Sequence, residues 1–282
     1  MFLHPKEKME VGVVMLQSAC NMTCTFCITE DSLPTMSFVQ AVALLENLHE
    51  KGIRNVVFGG GEPFKWPFDL VALTRRAKAM GFLVQVGTNG IALPPRFESI
   101  KSIDRYVLPL DAASPAIHNG MRRFKERHHS IILERLETLK GAGKEVTIGT
   151  VVTRQNLLHL PDIADFLEGY QREGGRIHAW HLYRFLPEGR GGSINASYHS
   201  ISEEEYDLAI REIRSRPLSF QTYKRKNMYR SKTVGFVFNF PLRRDDTVSI
   251  LRRLQALNPF RQEFDRRTNT YSQLIPIILL PF

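Results

Sequence analysis

The chain has three cysteines in 282 residues, and all of them fall in one short stretch, Cys20-Asn21-Met22-Thr23-Cys24-Thr25-Phe26-Cys27. The spacing is C-x3-C-x2-C. Three thiolates leave one corner of a four-iron cluster without a protein ligand. An open metal position is what a catalytic site requires, whereas a structural site is closed. Zinc is the alternative occupant. It needs a fourth ligand from among the nine histidines, and no histidine lies in the loop. A disulfide framework fits poorly: the cysteine number is odd, and residues 1–14 show no secretory pattern.

Four further stretches could meet a ligand. Gly59-Gly60-Gly61-Glu62-Pro63 follows a short apolar run. Consecutive glycines allow close backbone approach to a polar ligand, and they equally mark an ordinary turn. Gly87-Thr88-Asn89-Gly90 reads either as a ligand contact or as a turn with Asn89 or Gly90 at positive φ. Asp111 could accept hydrogen bonds from ribose hydroxyls, or cap the helix that follows. Arg122 could hold a carboxylate or phosphate through its planar fork, or sit at the surface beside a turn.

The cysteine loop resembles the cluster loop of the radical S-adenosylmethionine (SAM) superfamily, whose pattern is C-x3-C-x-aromatic-C. Phe26 occupies the aromatic position. The resemblance runs from about Val11 to about Arg190. Gly60-Gly61-Glu62 is similar to the family's GGE segment, and Asp111, His118 and Arg122 fall in a stretch similar to its "LD…H…R". The resemblance implies that Cys20, Cys24 and Cys27 hold a [4Fe–4S] cluster whose open iron chelates the amino and carboxylate groups of SAM. An external donor such as flavodoxin or ferredoxin supplies the electron that cleaves SAM. The resulting 5′-deoxyadenosyl radical then abstracts hydrogen from a substrate. Phe26, Gly60, Gly61, Glu62, Thr88, Asn89 and Asp111 are the SAM-binding residues on this reading. A branched side chain at Gly61 is then expected to weaken SAM binding and leave the cluster intact.

No cysteine follows Cys27. Members with a SPASM domain, and the cyclase of molybdopterin synthesis, carry a second cysteine set. Single-cluster members remain, among them viperin-like nucleotide enzymes, whose sixth strand the stretch from Trp180 to Gly189 resembles. The competing class is a non-enzymatic iron–sulfur protein for electron transfer or sensing. It accounts for the cysteines but not for GGGEP.

Positioning these residues takes a regular scaffold. Apolar, β-prone runs at 11–17, 55–58, 83–86, 105–110, 146–153 and 176–185 read as six strands. Helical spacing marks 36–51, with Thr35 or Ser37 as cap, then 68–80, 130–140, 160–170 and 202–214, the last opened by a Ser202–Glu205 capping box. Strands alternating with helices argue for parallel β-α units, with functional residues at the strands' C-terminal ends. The resemblance implies the family's partial (β/α)6 TIM barrel, with a C-terminal extension. Trp180 and Tyr183 read as packing residues. Leu186-Pro187-Glu188-Gly189-Arg190-Gly191-Gly192 reads as a non-helical loop, either a flexible connection or, as the resemblance implies, the sixth-strand edge where adenine and substrate meet.

At 43% hydrophobic and 24% charged, the composition is that of a globular protein. The net charge of +9 suits anionic partners such as nucleotides. No apolar run is long enough for a membrane helix, so a cytoplasmic, reducing location and a small-molecule or nucleotide substrate are expected. Two parts are expected: a core at 1–216 and a basic extension at 217–282. The extension holds Lys224-Arg225-Lys226, Arg230, Lys232, Arg243-Arg244, Arg252-Arg253 and Arg266-Arg267, with a strand at 234–240 and a helix at 247–257. Its cations form either a lid that binds an anionic substrate or a solvated surface.

Overall fold

The computed structural model describes residues 10–227, Val234–Val237, Glu263–Asp265, Thr270–Ser272 and Ile275–Pro276. The helix expected at 247–257 and every cation named above beyond Lys226 lie outside the described residues.

All six expected strands form: β1 (Val11–Met15), β2 (Asn55–Gly59), β3 (Leu83–Gly87), β4 (Arg105–Pro109), β5 (Glu145–Val152) and β6 (Arg176–Arg184). Each pairs in parallel with the next. Their side chains sort by strand period. Val14, Phe58, Val86, Leu108, Ile148 and Leu182 pack outward into the layer under the helices. Val13, Met15, Val57, Val107 and Tyr183 pack together on the inner face. Burial on both faces is why these strands read as near-continuous apolar runs. The curled sheet is the expected partial barrel.

The helices are α1 (Phe38–Glu50), α2 (Leu70–Ala79), α3 (Pro115–Met121), α4 (His128–Gly141), α5 (Leu160–Arg172), α6 (Gly189–Gly192), α7 (Ala196–His199) and α8 (Glu203–Ser215). Ser37, not Thr35, caps α1 through a capping box with Gln40, and Ser202 caps α8 through one with Glu205. Each such cap contributes about 1 kcal/mol. Among the described residues no helix is long and apolar enough to cross a membrane.

Two features depart from the sequence reading. The first is β7 (Gln221–Arg225), which pairs in parallel with β6; the strand expected at 234–240 does form, as β8 (Val234–Val237), in parallel with the other side of β1. Among the described residues the sheet has nine strands, with the two-residue strand Ile275–Pro276 at its edge. The second is α6, a helical turn inside the stretch read as non-helical. Glycine is a poor helix former, but here the turn is fixed by contacts with the cysteine loop.

Candidate active site

The cysteine loop leaves the C-terminal end of β1 and is gripped on both limbs. On the ascending limb, the Gly61 N–H donates to Gln17 O at 2.7 Å and the Glu62 N–H to Ala19 O at 2.9 Å. Gly60 has φ +130°, and a Cβ there would overlap Gln17 O. A Cβ on Gly61 would overlap the carbonyl oxygens of Ala19 and Ser18. These glycines are thus required by the stem of the loop itself. The expectation that a branched residue at Gly61 spares the cluster is corrected: it would displace the cysteine-bearing backbone.

On the descending limb, α6 supplies the grip. The Gly191 and Gly192 N–H groups donate to Cys27 O at 2.9 and 3.1 Å, and Arg190 N–H donates to Thr29 O at 3.2 Å. A Cβ on Gly191 would meet Cys24 O and lie 2.7 Å from Cys27 N. Asn195 Nδ2 donates to Thr25 O at 2.9 Å, and His199 Nε2 lies 2.8 Å from Thr25 Oγ1. Cys24 itself pairs with Arg122 in a two-residue antiparallel ladder, Thr23–Cys24 against Arg122–Arg123.

The three cysteines share one hollow with Phe26, Gly60, Gly61 and Asn89, and Arg122 and Arg190 reach into it. Burial raises the Cys20 thiol and pushes Cys24 up to about 12, while the Arg122 charge pulls Cys24 back. Arg122 is fully buried and its fork is divided. Its Nε donates to Asp111 Oδ2, its Nη1 donates to Cys24 Sγ at 3.7 Å, and its Nη2 has no hydrogen-bond partner among the described residues. Its plane lies 4.9 Å from the Phe26 ring centroid.

Of the seven residues expected to meet SAM, Phe26, Gly60, Gly61 and Asn89 line this hollow. The side chains of Glu62, Thr88 and Asp111 are instead wholly buried with partners of their own. Glu62 accepts from Thr88 Oγ1 at 2.8 Å, Asn89 N at 2.7 Å and Phe64 N at 3.1 Å. Burial pushes its carboxyl up to about 7 against those bonds. The Asp111 side chain does not cap a helix. Its Oδ1 accepts from Val151 N at 2.8 Å, its Oδ2 holds Arg122, and Ser114 is the N-cap of α3. Burial pushes the Asp111 carboxyl up, opposed by the Arg122 charge.

Sequence reasoning missed a buried imidazole chain. The Asp111 N–H donates to His118 Nδ1 at 3.1 Å, which puts the His118 proton on Nε2. That nitrogen lies 2.8 Å from His128 Nδ1, and His128 Nε2 lies 2.8 Å from Asn89 O. Burial lowers His118 well below the usual imidazole range and His128 to about 3, so both are neutral. The chain ends at Asn89, whose Nδ2 donates to Asn21 Oδ1 at 2.7 Å and to Cys20 Sγ at 3.5 Å. Arg190, Asn195 and His199 were missed too, since nothing in their local sequence marks contact with a loop some 170 residues earlier.

Comparison with known proteins agrees with this architecture. The family description "Radical SAM superfamily" matches residues 14–167, more than half of the chain. An AdoMet-dependent heme synthase of Oleidesulfovibrio alaskensis is 28% identical over 68% of this chain and 49% of its own length. An S-adenosylmethionine-dependent nucleotide dehydratase of Flammeovirga pacifica is 26% identical over 68% of each chain. The chain thus spans about half the length of the heme synthase it matches. Streptococcus suis SuiB, solved with S-adenosylmethionine, shares the fold at a TM-score of 0.63 and 14% identity, over 82% of this chain and 58% of that one. These matches favour an enzyme over the electron-transfer or sensing alternative. The chain belongs to the radical SAM superfamily, enzymes that use a [4Fe–4S] cluster and S-adenosylmethionine.

Proposed function

We propose that Cys20, Cys24 and Cys27 ligate the [4Fe–4S] cluster, that SAM lies beside it against Gly60 and Gly61, and that the enzyme acts on an anionic substrate such as a nucleotide. The observation that carries this reading is the shared hollow: three thiols, two side-chain-free glycines and a buried guanidinium with one unpartnered nitrogen.

The donor set fits the group. Among the described residues, no three His, Cys, Asp or Glu side chains converge on one ion. Three thiols lining one hollow can each bind a separate iron of a cluster. A buried donor without a partner costs about 1–3 kcal/mol, and a ligand carboxylate at Arg122 Nη2 would remove that cost. When bound, the cluster and SAM together supply a one-electron cleavage that gives methionine and a 5′-deoxyadenosyl radical able to abstract hydrogen.

The chain's own residues do the positioning. Asp111 fixes the Arg122 fork, and Arg122 and Asn89 donate to the sulfurs of Cys24 and Cys20. Hydrogen bonds to ligating sulfurs favour the reduced cluster and so raise its potential. Glu62 and Thr88 lock the turn that carries Asn89. The nucleotide dehydratase relative and the net charge of +9 support an anionic substrate. Within the expected extension, β7 and β8 join the barrel sheet, which supports a role for it at the barrel rather than as a detached tail.

Anaerobic reconstitution tests the reading, with iron and sulfide analysis, electron paramagnetic resonance and assay of 5′-deoxyadenosine after reduction with SAM. We expect one reducible cluster per chain, lost on replacing any of the three cysteines by alanine. Stoichiometric zinc without a reducible cluster would sink the proposal.

A further inference from the structure

The run Lys224-Arg225-Lys226 puts three cations on one strand, and the alternation of β7 separates them. Lys224 Nζ pairs with Asp207 Oδ1 at 2.7 Å, and Lys226 Nζ pairs with Glu203 and with Asp207 Oδ2, the latter at 3.3 Å. Both acids belong to α8, which covers the outer face of the sheet through the buried residues Tyr206, Ile210 and Ile213. The two lysines are neutralised there. Arg225 points the other way, to the inner face.

Among the described residues Arg225 makes no ion pair, and its Nε is buried without a hydrogen-bond partner. Its guanidinium lies 5.1 Å from the Tyr223 ring centroid. The register sets Tyr183 of β6 beside Arg225 and His181 beside Tyr223. Tyr183 packs with Val13, Met15, Val57 and Val107, the apolar lining of the barrel. Its hydroxyl lies 3.0 Å from His181 Nδ1. Burial, then the Arg225 charge, holds His181 down at about 3, so the imidazole stays neutral and does not compete for an anion. Thr147, whose register partner Val107 faces inward, also has a buried hydroxyl without a hydrogen-bond partner among the described residues. A buried donor such as this Nε, left without a partner, is costly, and a planar guanidinium is shaped for an oxyanion. Arg225 ends β7 beside the end of β6, at the strands' C-terminal ends, where the cysteine loop also lies.

We infer that Arg225 and Tyr183 form an oxyanion subsite on the inner wall of the barrel, which takes a phosphate or carboxylate group. With the Nδ1 proton on His181, the Tyr183 hydroxyl donates to the same oxyanion. Only the statement that this ligand is the substrate rests on the function proposed above; the subsite itself stands on the geometry.

The test is equilibrium binding of two probes, pyrophosphate and succinate, to the full-length protein by calorimetry. The variants are Arg225→Met, Arg225→Lys, Tyr183→Phe and the outer-face pair Lys224→Met with Lys226→Met. Arg225→Met is expected to weaken the preferred probe about ten-fold or more, as loss of a charge-assisted bond does. Arg225→Lys and Tyr183→Phe should fall between Arg225→Met and wild type, and the outer-face pair should change affinity less than two-fold. Tighter pyrophosphate binding identifies a phosphorylated ligand, and tighter succinate binding a carboxylated one. Circular dichroism checks folding; if Arg225→Met does not fold, Arg225→Lys and Tyr183→Phe carry the test. The subsite is overturned if neither probe binds wild type at millimolar concentration. It is also overturned if the Arg225 and Tyr183 variants bind like wild type, or if the outer-face pair loses as much as they do. Cluster content and 5′-deoxyadenosine release from wild type are measured alongside. Their absence would defeat the proposed function and leave the subsite standing, so the two failures are distinguishable.

Discussion

Two glycine turns, from strands far apart in the chain, hold opposite limbs of the cysteine loop. Gly60 and Gly61, after β2, press on Gln17, Ser18 and Ala19. Gly189 and Gly191, in the turn after β6, press on Ile28, Cys24 and Cys27. Both are glycine for the same reason: backbone meets backbone with no room for a Cβ. They differ in what stands behind them. The first turn is braced from inside by Glu62, which ties it to Thr88 and Asn89 at the next strand end. The second is a single helical turn, tied to the loop mainly through its own N–H groups and through Asn195 and His199. Where the backing is rigid, a clash must move the loop; where it is one short turn, the turn can yield. The first grip should therefore fail completely and the second partially.

Gly61→Val is the severest test of that difference. Its side chain would collide with two backbone carbonyls, neither of which can rotate away. We expect destabilisation of about 4 kcal/mol or more, the range of the worst core substitutions, and no cluster after reconstitution. Iron content and urea denaturation measure both. A variant that retains its cluster and loses only SAM affinity would show that the first grip is no stronger than a ligand contact.

Gly191→Ala should do less. The methyl group would meet Cys24 O and Cys27 N, but α6 spans only four residues and can shift outward. About 3 kcal/mol is expected, the upper end for overpacking, with reduced but measurable cluster occupancy. If Gly191→Ala proves as damaging as Gly61→Val, the two grips are equivalent and the bracing behind Glu62 contributes nothing.

The contrast also accounts for what could be read in the sequence. The six strands and the cysteine loop were legible because a two-residue period and a cysteine spacing are local patterns. The glycines of the first turn were also legible, because they follow a strand directly, though as ligand contacts rather than as a grip on the loop. The second was not: four residues with three glycines resemble a flexible connection, and only contact with a loop some 160 residues away makes them helical. Side-chain direction was the other blind spot. Position and the family resemblance placed Glu62, Thr88 and Asp111 at strand ends near the ligand, and only the fold shows that their side chains have partners of their own in Asn89, Glu62 and Arg122. The same blindness applied to Lys224-Arg225-Lys226, where charge looked uniform until the alternation of β7 divided it. Its high cation content is also what hid β7, since a strand is expected where apolar residues recur.

The smallest expected effect separates the grips by the sign of their response to acid. Glu62, behind the first grip, is fully buried and held at about 7, above the ordinary 4.5. Between those values the folded protein keeps a proton that the unfolded chain releases, so this group's contribution to stability falls as pH rises from about 4.5 to about 7. His199, behind the second grip, is fully buried and held at about 4, below the ordinary 6.5. There the unfolded chain binds a proton that the folded protein refuses, so its contribution is complete above about 6.5 and is lost as pH falls toward about 4. Near pH 5.5 each group changes stability by about 1.4 kcal/mol per pH unit, in opposite directions. The neutral imidazoles His118 and His128 add acid sensitivity of their own, which is common to both variants and cancels when they are compared. Urea denaturation of wild type, Glu62→Gln and His199→Gln from pH 5 to pH 6 isolates the two terms. Glu62→Gln should steepen the loss of stability on acidification, and His199→Gln should flatten it. Slopes that move together, or do not move, would mean that the two limbs of the loop are not held by oppositely titrating groups.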